Sequence, residues 1–401
     1  MIDVMTWMDD DLNDRRERGL YRVRRSLQSA QGTRVLLRGR ELINFASNDY
    51  LDLAADPRLV RASNRAARRY GCGAGASPLV VGHLPPLRAL ERALAKWEET
   101  EAALVFSSGF VANLAVVSAL AGAEDVIFSD ALNHASLIDG CRLSRAAVHI
   151  YRHADINHLE ELLQNHGHQA RRRLIVTDTV FSMDGDFAPL ADLLDLAQRF
   201  DCLLVIDEAH ATGVLGEQGR GLTELLLPPT SNEQRTTNNQ QIIKIGTLSK
   251  ALGAQGGFVC GSRALIDWLV NTARPYIFST ALAPTAAAAA RRAVALAQEE
   301  PQRRRHLLGL ADLLREQLCQ VGFPDTGSRC QIVPVVVGQS RTALAFSARL
   351  EEQGLLVPAI RPPSVPEGTA RLRISLSAGH SEQDVARLVE ALKALPARKH
   401  V

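Results

Sequence analysis

The chain has 401 residues, which at roughly 150 residues per domain is enough for two or three domains with a buried core. Hydrophobic residues make up 46% and charged residues 22%, a globular balance that excludes a largely disordered or fibrous chain. Lys and Arg total 46 against 44 Asp and Glu, and a net charge of +2 gives no electrostatic reason to expect nucleic acid or an anionic membrane as partner.

The opening Met1-Ile2-Asp3-Val4 and the acids Asp9-Asp10-Asp11 lack a basic-then-apolar export signal, and no apolar run approaches the roughly 20 residues that cross a bilayer. The expected compartment is the cytoplasm. Arg15, Arg16, Arg18, Arg22, Arg24 and Arg25, mixed with acids and leucines in a helix-like pattern, read as an amphipathic N-terminal arm over residues 1–45. From there to 285, short apolar runs alternate with helical patterns: Ala103-Leu-Val-Phe106, Val126-Ile-Phe128, Leu174-Ile-Val-Thr177, Leu203-Leu-Val-Ile206, Ile242-Ile-Lys-Ile245 and Gly257-Phe-Val-Cys260. Such runs mark strands buried on both faces of a parallel sheet, so residues 46–285 are expected to form a large α/β domain. The polar stretch 228–241 interrupts the alternation as a surface insertion. Alanine-dense residues 281–292 then lead, as a helix, toward a smaller α+β domain at 286–401. There a helix at 305–320, a strand at 332–337, a helix at 341–353, a strand at 372–376 and a final helix are expected.

The six cysteines, Cys72, Cys141, Cys202, Cys260, Cys319 and Cys330, form no Cys-x-x-Cys pair and are expected to be buried free thiols. His149, His153, His158, His166 and His168 have no metal-binding spacing near acids and read as solvated, so no metal site is expected. Gly71-Cys-Gly73-Ala-Gly75-Ala76 fits a dinucleotide fingerprint in letters only. It follows a helical, charged segment instead of a strand, and Ser77-Pro78 follows it, which disfavours a nicotinamide-dependent dehydrogenase.

Two strand ends carry more. Leu203-Leu-Val-Ile-Asp207-Glu-Ala-His210 puts an acid at the carboxyl end of a buried strand with an imidazole three residues on, where open α/β sheets bind ligands. Gly246-Thr-Leu-Ser-Lys250 puts a lysine just after another strand, where partial desolvation lowers its pKa and favours Schiff-base formation. A strand-end Asp is also a common helix cap, and a strand-end Lys is commonly solvated. Together they supply an acid for a pyridinium and an amine for an aldehyde, the pair that pyridoxal 5'-phosphate (PLP) requires. Phe106-Ser-Ser-Gly109-Phe110 offers a strand, a small-residue turn and a helix start for the phosphate, with capping by Ser107 or Ser108 as the competing reading. His134, in Asn133-His-Ala-Ser136, follows a strand and can lie over a flat ring.

These segments, with Asn44-Phe-Ala-Ser-Asn48-Asp-Tyr50, Val180-Phe-Ser-Met-Asp-Gly185 and Arg371-Leu-Arg-Ile374, resemble the α-oxoamine synthases, PLP-dependent enzymes of fold type I, over almost the whole chain. The resemblance implies a large, mixed, mostly parallel sheet domain plus a smaller C-terminal α+β domain, and a homodimer with shared active sites. It implies that Lys250 carries the cofactor, Asp207 pairs with the pyridine nitrogen, His134 stacks on the ring, and Ser182 and His210 bond near its phenolic oxygen. Thr247 and the amides of Gly109 and Phe110 would hold the phosphate, with Ser279 or Thr280 reaching the neighbouring subunit's phosphate. Arg373 with Asn48 would grip the substrate carboxylate, and Arg22 would contact the acyl substrate. The segment from Ala359 to Arg373, with Arg361 and Ser364, is most similar to members that join L-alanine to a pimeloyl thioester. Siblings that use glycine with succinyl-CoA or acetyl-CoA share the cofactor residues, and a non-catalytic scaffold subunit is disfavoured because such subunits lose the lysine kept here as Lys250.

Overall fold

The computed structural model describes residues 5–168, 170–226 and 241–395; all but Gln241 of the 228–241 stretch lies outside the described residues. Two compact units emerge, a larger one of residues 49–182 and 186–305, and a smaller one of residues up to 48, 183–185 and 306 onward.

The chain opens with α1 (Thr6–Glu17), which buries no residue, followed by strands β1 (Arg34–Leu37) and β2 (Arg40–Asn44). The helix stops short of the expected arm. Gly19 takes a left-handed φ of +66°, and Arg22, Arg24 and Arg25 follow outside any helix. Between β1 and β2, Arg38 and Gly39 both adopt positive φ, the turn that matches the twist of a tight hairpin.

The larger unit begins with α2 (Pro57–Tyr70), capped by Asp56 and ended by Gly71 at φ +76°, and α3 (Pro85–Trp97). The glycine-rich stretch therefore leaves a helix, consistent with its poor fit to a dinucleotide turn. Then come β3 (Ala102–Phe106), α4 (Gly109–Leu120), β4 (Val126–Asp130), α5 (Ala135–Ser144), β5 (Ala147–Tyr151) and α6 (Ile156–His166). They continue with β6 (Arg173–Asp178), α7 (Leu190–Arg199), β7 (Cys202–Asp207), β8 (Ile242–Thr247), β9 (Gly257–Gly261), α8 (Arg263–Thr272) and α9 (Pro284–Glu299). Pro284 opens α9 at its first turn, where the missing N–H costs no bond.

The seven strands form one sheet in the order β3-β9-β8-β7-β6-β4-β5. All run parallel except β9, which is antiparallel to both β3 and β8. Gly257–Cys260 is thus not one of the parallel strands: the 248–256 connection contains no helix and is shorter than the dozen or so residues a crossover needs. Edge strand β5 escapes a search for apolar runs because its residues are largely exposed, up to Tyr151. The core lies between the sheet and its helices, with Leu104, Val116, Ile127, Leu174, Val205 and Ile245 all buried.

In the smaller unit, α10 (Pro301–Gln320) enters after Arg305 and is followed by β10 (Ile332–Gly338), α11 (Ser340–Glu352), β11 (Leu355–Leu356), β12 (Ala359–Ile360), β13 (Ala370–Ser375) and α12 (Glu382–Lys393). Two three-stranded sheets result, β1-β2-β11 and β10-β13-β12. Ser381 and Asp384 close a reciprocal capping box at the start of α12. Four cysteines are buried free thiols, but Cys72 and Cys319 are exposed, contrary to the uniform burial expected.

Candidate active site

Five of the parallel strands present polar side chains just past their carboxyl ends, where a doubly wound sheet leaves room for a ligand. After β3, Ser108 caps α4 by accepting the Val111 amide at 3.2 Å. The amides of Gly109 and Phe110, in the first turn, have no acceptor within the helix. A Cβ added to Gly109 would lie 3.3 Å from both Cβ and Oγ1 of Thr247, so the glycine keeps the helix start open beside that hydroxyl. Thr247, the last residue of β8, sits 2.8 Å by its Oγ1 from Ser249 Oγ, and Lys250 follows, partly exposed.

Asp207 ends β7 and is buried. Its Oδ2 accepts from Asn113 Nδ2 at 2.6 Å and its Oδ1 from the Ala209 amide at 2.7 Å. The same Asn113 Nδ2 donates to Ser136 Oγ at 2.8 Å, and Ser136 Oγ lies 2.7 Å from His134 Nδ1. One helix residue thereby joins the carboxylate to the support of the imidazole. Burial lowers the His134 pKa, with Lys250 acting in the same direction and Asp207 against it, so the ring is held uncharged and suited to lie against another flat ring. His210 is buried and its Nδ1 lies 2.7 Å from Tyr50 Oη. Ser182 follows β6 in the Val180–Phe187 turn and is partly buried.

The smaller unit carries the remaining expected residues. Arg373, buried on β13, donates by Nη1 to Asn48 Oδ1 at 3.1 Å and to Ser375 Oγ at 2.8 Å. Arg22 donates to the Pro362 carbonyl at 3.4 Å and Arg361 to the Gly19 carbonyl. Burial and the neighbouring Arg22 both lower the Arg361 pKa, the mark of two guanidinium groups held close together. Ser364 is exposed, its amide donating to the Arg361 carbonyl at 3.1 Å.

A family model for aminotransferase class I and II matches residues 40–392. An 8-amino-7-oxononanoate synthase of Anaeromyxobacter dehalogenans is 48% identical over 392 residues, spanning 98% of this chain and 96% of its own. Another, from Geobacter sulfurreducens, is 49% identical over 384 residues, spanning 95% and 96%. A serine palmitoyltransferase from S. paucimobilis, solved with a bound PLP–myriocin adduct, matches with a TM-score of 0.89 at 28% identity over 98% of both chains. The chain belongs to the PLP-dependent α-oxoamine synthases.

The residues present suit the family's cofactor. A helix start kept open by Gly109 beside a hydroxyl fits a phosphate, a buried carboxylate braced by two N–H donors fits a ring cation, and Lys250 supplies the amine. Three residues bonded or paired with this candidate site escape the sequence reading. Asn113 is the one amide side chain in the largely apolar α4, a signal that could have found it. Asp178 ends β6 one strand over from Asp207, and Tyr50 reaches His210 from far along the chain, which no local pattern reveals. His153 corrects the expectation of solvated histidines: its Nδ1 lies 3.0 Å from Asp130 and its Nε2 2.8 Å from Asp186. His149 stacks between Phe128 and His166, with ring centroids 5.7 and 3.9 Å away. Among the described residues, no helix is long and apolar enough to cross a membrane.

Proposed function

We propose that this chain condenses L-alanine with a pimeloyl thioester, releasing a thiol and carbon dioxide, as a homodimer in the cytoplasm. The observation that carries the reading is identity of 48% and 49%, over nearly the full length, with relatives named 8-amino-7-oxononanoate synthase. Bound at the strand ends, PLP supplies an aldehyde for the amino nitrogen and a ring that delocalises the electron pair left at Cα.

The chain's residues do the rest. Asp207, braced by Asn113 and Ala209, holds a proton at the ring nitrogen, and neutral His134 packs against the ring. Ser182 and His210 serve the phenolic oxygen, with His210 fixed by Tyr50. Thr247 and the amides of Gly109 and Phe110 take the phosphate. Lys250 Nζ removes the Cα proton of L-alanine and later returns one to the same carbon. Between those transfers a bond forms from Cα to the thioester carbonyl, the thiolate leaves, and the Cα–carboxylate bond breaks to release carbon dioxide. Arg373, oriented by Asn48 and Ser375, holds that carboxylate. Arg22 and Arg361 are two adjacent cations bonded to backbone carbonyls, and an acyl chain ending in a carboxylate would relieve their repulsion. Ser364 adds a hydroxyl beside them.

A panel of amino acids and thioesters, read by thiol release, tests the reading. L-alanine with the pimeloyl thioester should outperform every other pair. Preference for glycine with succinyl-CoA or acetyl-CoA would move the chain to a sibling activity while leaving the cofactor chemistry in place.

A further inference from the structure

The site contains a second carboxyl group to which the proposed chemistry gives no role. Asp178 ends β6 as Asp207 ends β7, and the two are register partners across the sheet. Both are buried, at 3% and 5% exposure, so water does little to separate their charges. Asp207 Oδ1 and Oδ2 accept from Ala209 and Asn113, an arrangement that suits an ionised carboxylate. Asp178 is tied differently: its Oδ2 accepts the backbone amide of His134 at 2.7 Å, and its own amide donates to Asn133 Oδ1 at 2.9 Å. Asn133 in turn donates to the Val176 carbonyl at 2.8 Å, so the Asn133-His134 turn is pinned to the end of β6.

Two adjoining buried carboxyls can keep one negative charge at little cost but not two. We propose that Asp178 works as an uncharged carboxylic acid, a positioning residue that fixes His134 through its amide and leaves Asp207 the one anion available to the cofactor ring. The proposal rests on the reading of Asp207 and His134 given above. Burial and then Asp207 push the Asp178 pKa well above the usual carboxylate range, and Asp130 adds to this, outweighing the His134 amide and Lys250, which pull the other way. Asp130 already faces His153, which leaves Asp207 as the neighbour that decides. The functional gain is at Lys250 and His134. A second anion beside them would hold protons on both, yet one must take a proton and the other must stay neutral.

The test compares Asp178→Asn, which keeps the shape without a charge, with Asp178→Ala, which removes the anchor. Loss of one buried hydrogen bond should weaken PLP binding by about tenfold in the Ala variant, whereas the Asn variant should stay within about threefold of wild type. The wild-type holoenzyme should also show a protonated-carboxyl C=O stretch in infrared difference spectra that disappears in Asp178→Asn. Absence of that stretch in wild type, or an Asn variant that loses PLP as readily as the Ala variant, would overturn the proposal. Asp207→Asn separates the two readings. Normal PLP binding and normal α-proton exchange in that variant would remove Asp207 from its ring-pairing role, while the infrared band would still report whether Asp178 carries a proton.

Discussion

Strand β8 carries one lysine and delivers another just past its end, and the fold uses them in opposite ways. Lys244, mid-strand, is buried and enclosed by acceptors: Glu98 Oε2 at 2.6 Å, Thr223 Oγ1 at 3.2 Å and the Arg220 carbonyl. Burial alone would strip its proton, but Glu98 and Glu208 outweigh that and keep the ammonium charged. Lys250 stands partly exposed just past the carboxyl end, next in chain to the Thr247–Ser249 hydroxyl pair, where open α/β sheets bind ligands. The lesson is that residue type and strand do not decide a lysine's role. What decides it is position: one lysine is enclosed by acceptors within the strand, and the other is delivered past its carboxyl end, into the ligand-binding region of the sheet.

The widest separation between the two comes from removing each in turn. Lys250→Ala should abolish turnover and the covalent capture of PLP, read by borohydride reduction and mass mapping, with the melting temperature of the cofactor-free protein nearly unchanged. Labelling of a different lysine would refute the assignment. Lys244→Met should do the reverse. It strands Glu98 in the interior, at a cost of about 3–5 kcal/mol in stability, while the folded fraction still binds PLP. Adding Glu98→Leu should recover most of that loss, because the carboxylate left without its ammonium goes with it. Between these extremes, Asp207→Asn should leave the melt intact but slow deuterium exchange at Cα of alanine by about 100-fold or more, since a neutral amide cannot stabilise the ring cation.

The same contrast explains how much the sequence disclosed. Asp207, His210, Thr247 and Lys250 are legible because a parallel sheet fixes where strand ends lie, and a polar residue just after an apolar run marks one. Gly109 and His134 follow by the same rule. Lys244 is invisible by that logic: inside Ile242-Ile-Lys-Ile245 it reads as an interruption of an apolar strand, and its partner Glu98 lies far away in sequence, just beyond α3. The Asp178–Asp207 pair depends on which strands are neighbours, as does the link from Tyr50 to His210, and strand order is a property of the whole sheet. Strand β9 runs against the parallel expectation for a related reason, since apolar content reports burial and only the connection reports orientation.

The smaller unit extends the comparison to arginine. Arg371 is buried and paired with Asp184, the counterpart of Lys244, whereas Arg22 and Arg361 donate to backbone carbonyl oxygens. Replacing Arg22 or Arg361 by Ala should therefore raise KM for the pimeloyl thioester by about tenfold, with kcat and alanine affinity little changed. Arg371→Ala should instead lower stability and leave the ratio of acyl substrates as it was. Equal effects on alanine and acyl KM in the Arg22 and Arg361 variants would break the assignment of these cations to the acyl chain.

The smallest expected effect concerns His153, whose imidazole is as fully engaged by acids as Lys244 is. Burial would lower its pKa, but the bonds to Asp130 and Asp186 outweigh it and push it up to about 10. Asp130 also accepts the amides of Leu132 and Ala154, so the imidazolium ties the turn leading to His134 to the segment that follows Ser182. Because the folded-state value lies above the ordinary 6.5, the stabilisation is fully present below pH 6.5. It is then lost progressively as pH rises toward about 10, where the folded protein also releases the proton. Thermal melts taken across that window should fall more steeply for wild type than for His153→Gln, and the two curves should run parallel below it. A wild-type slope no steeper than the variant's would mean that the imidazole is already neutral between its two carboxylates, and that its bonds, unlike those of Lys244, do not depend on charge.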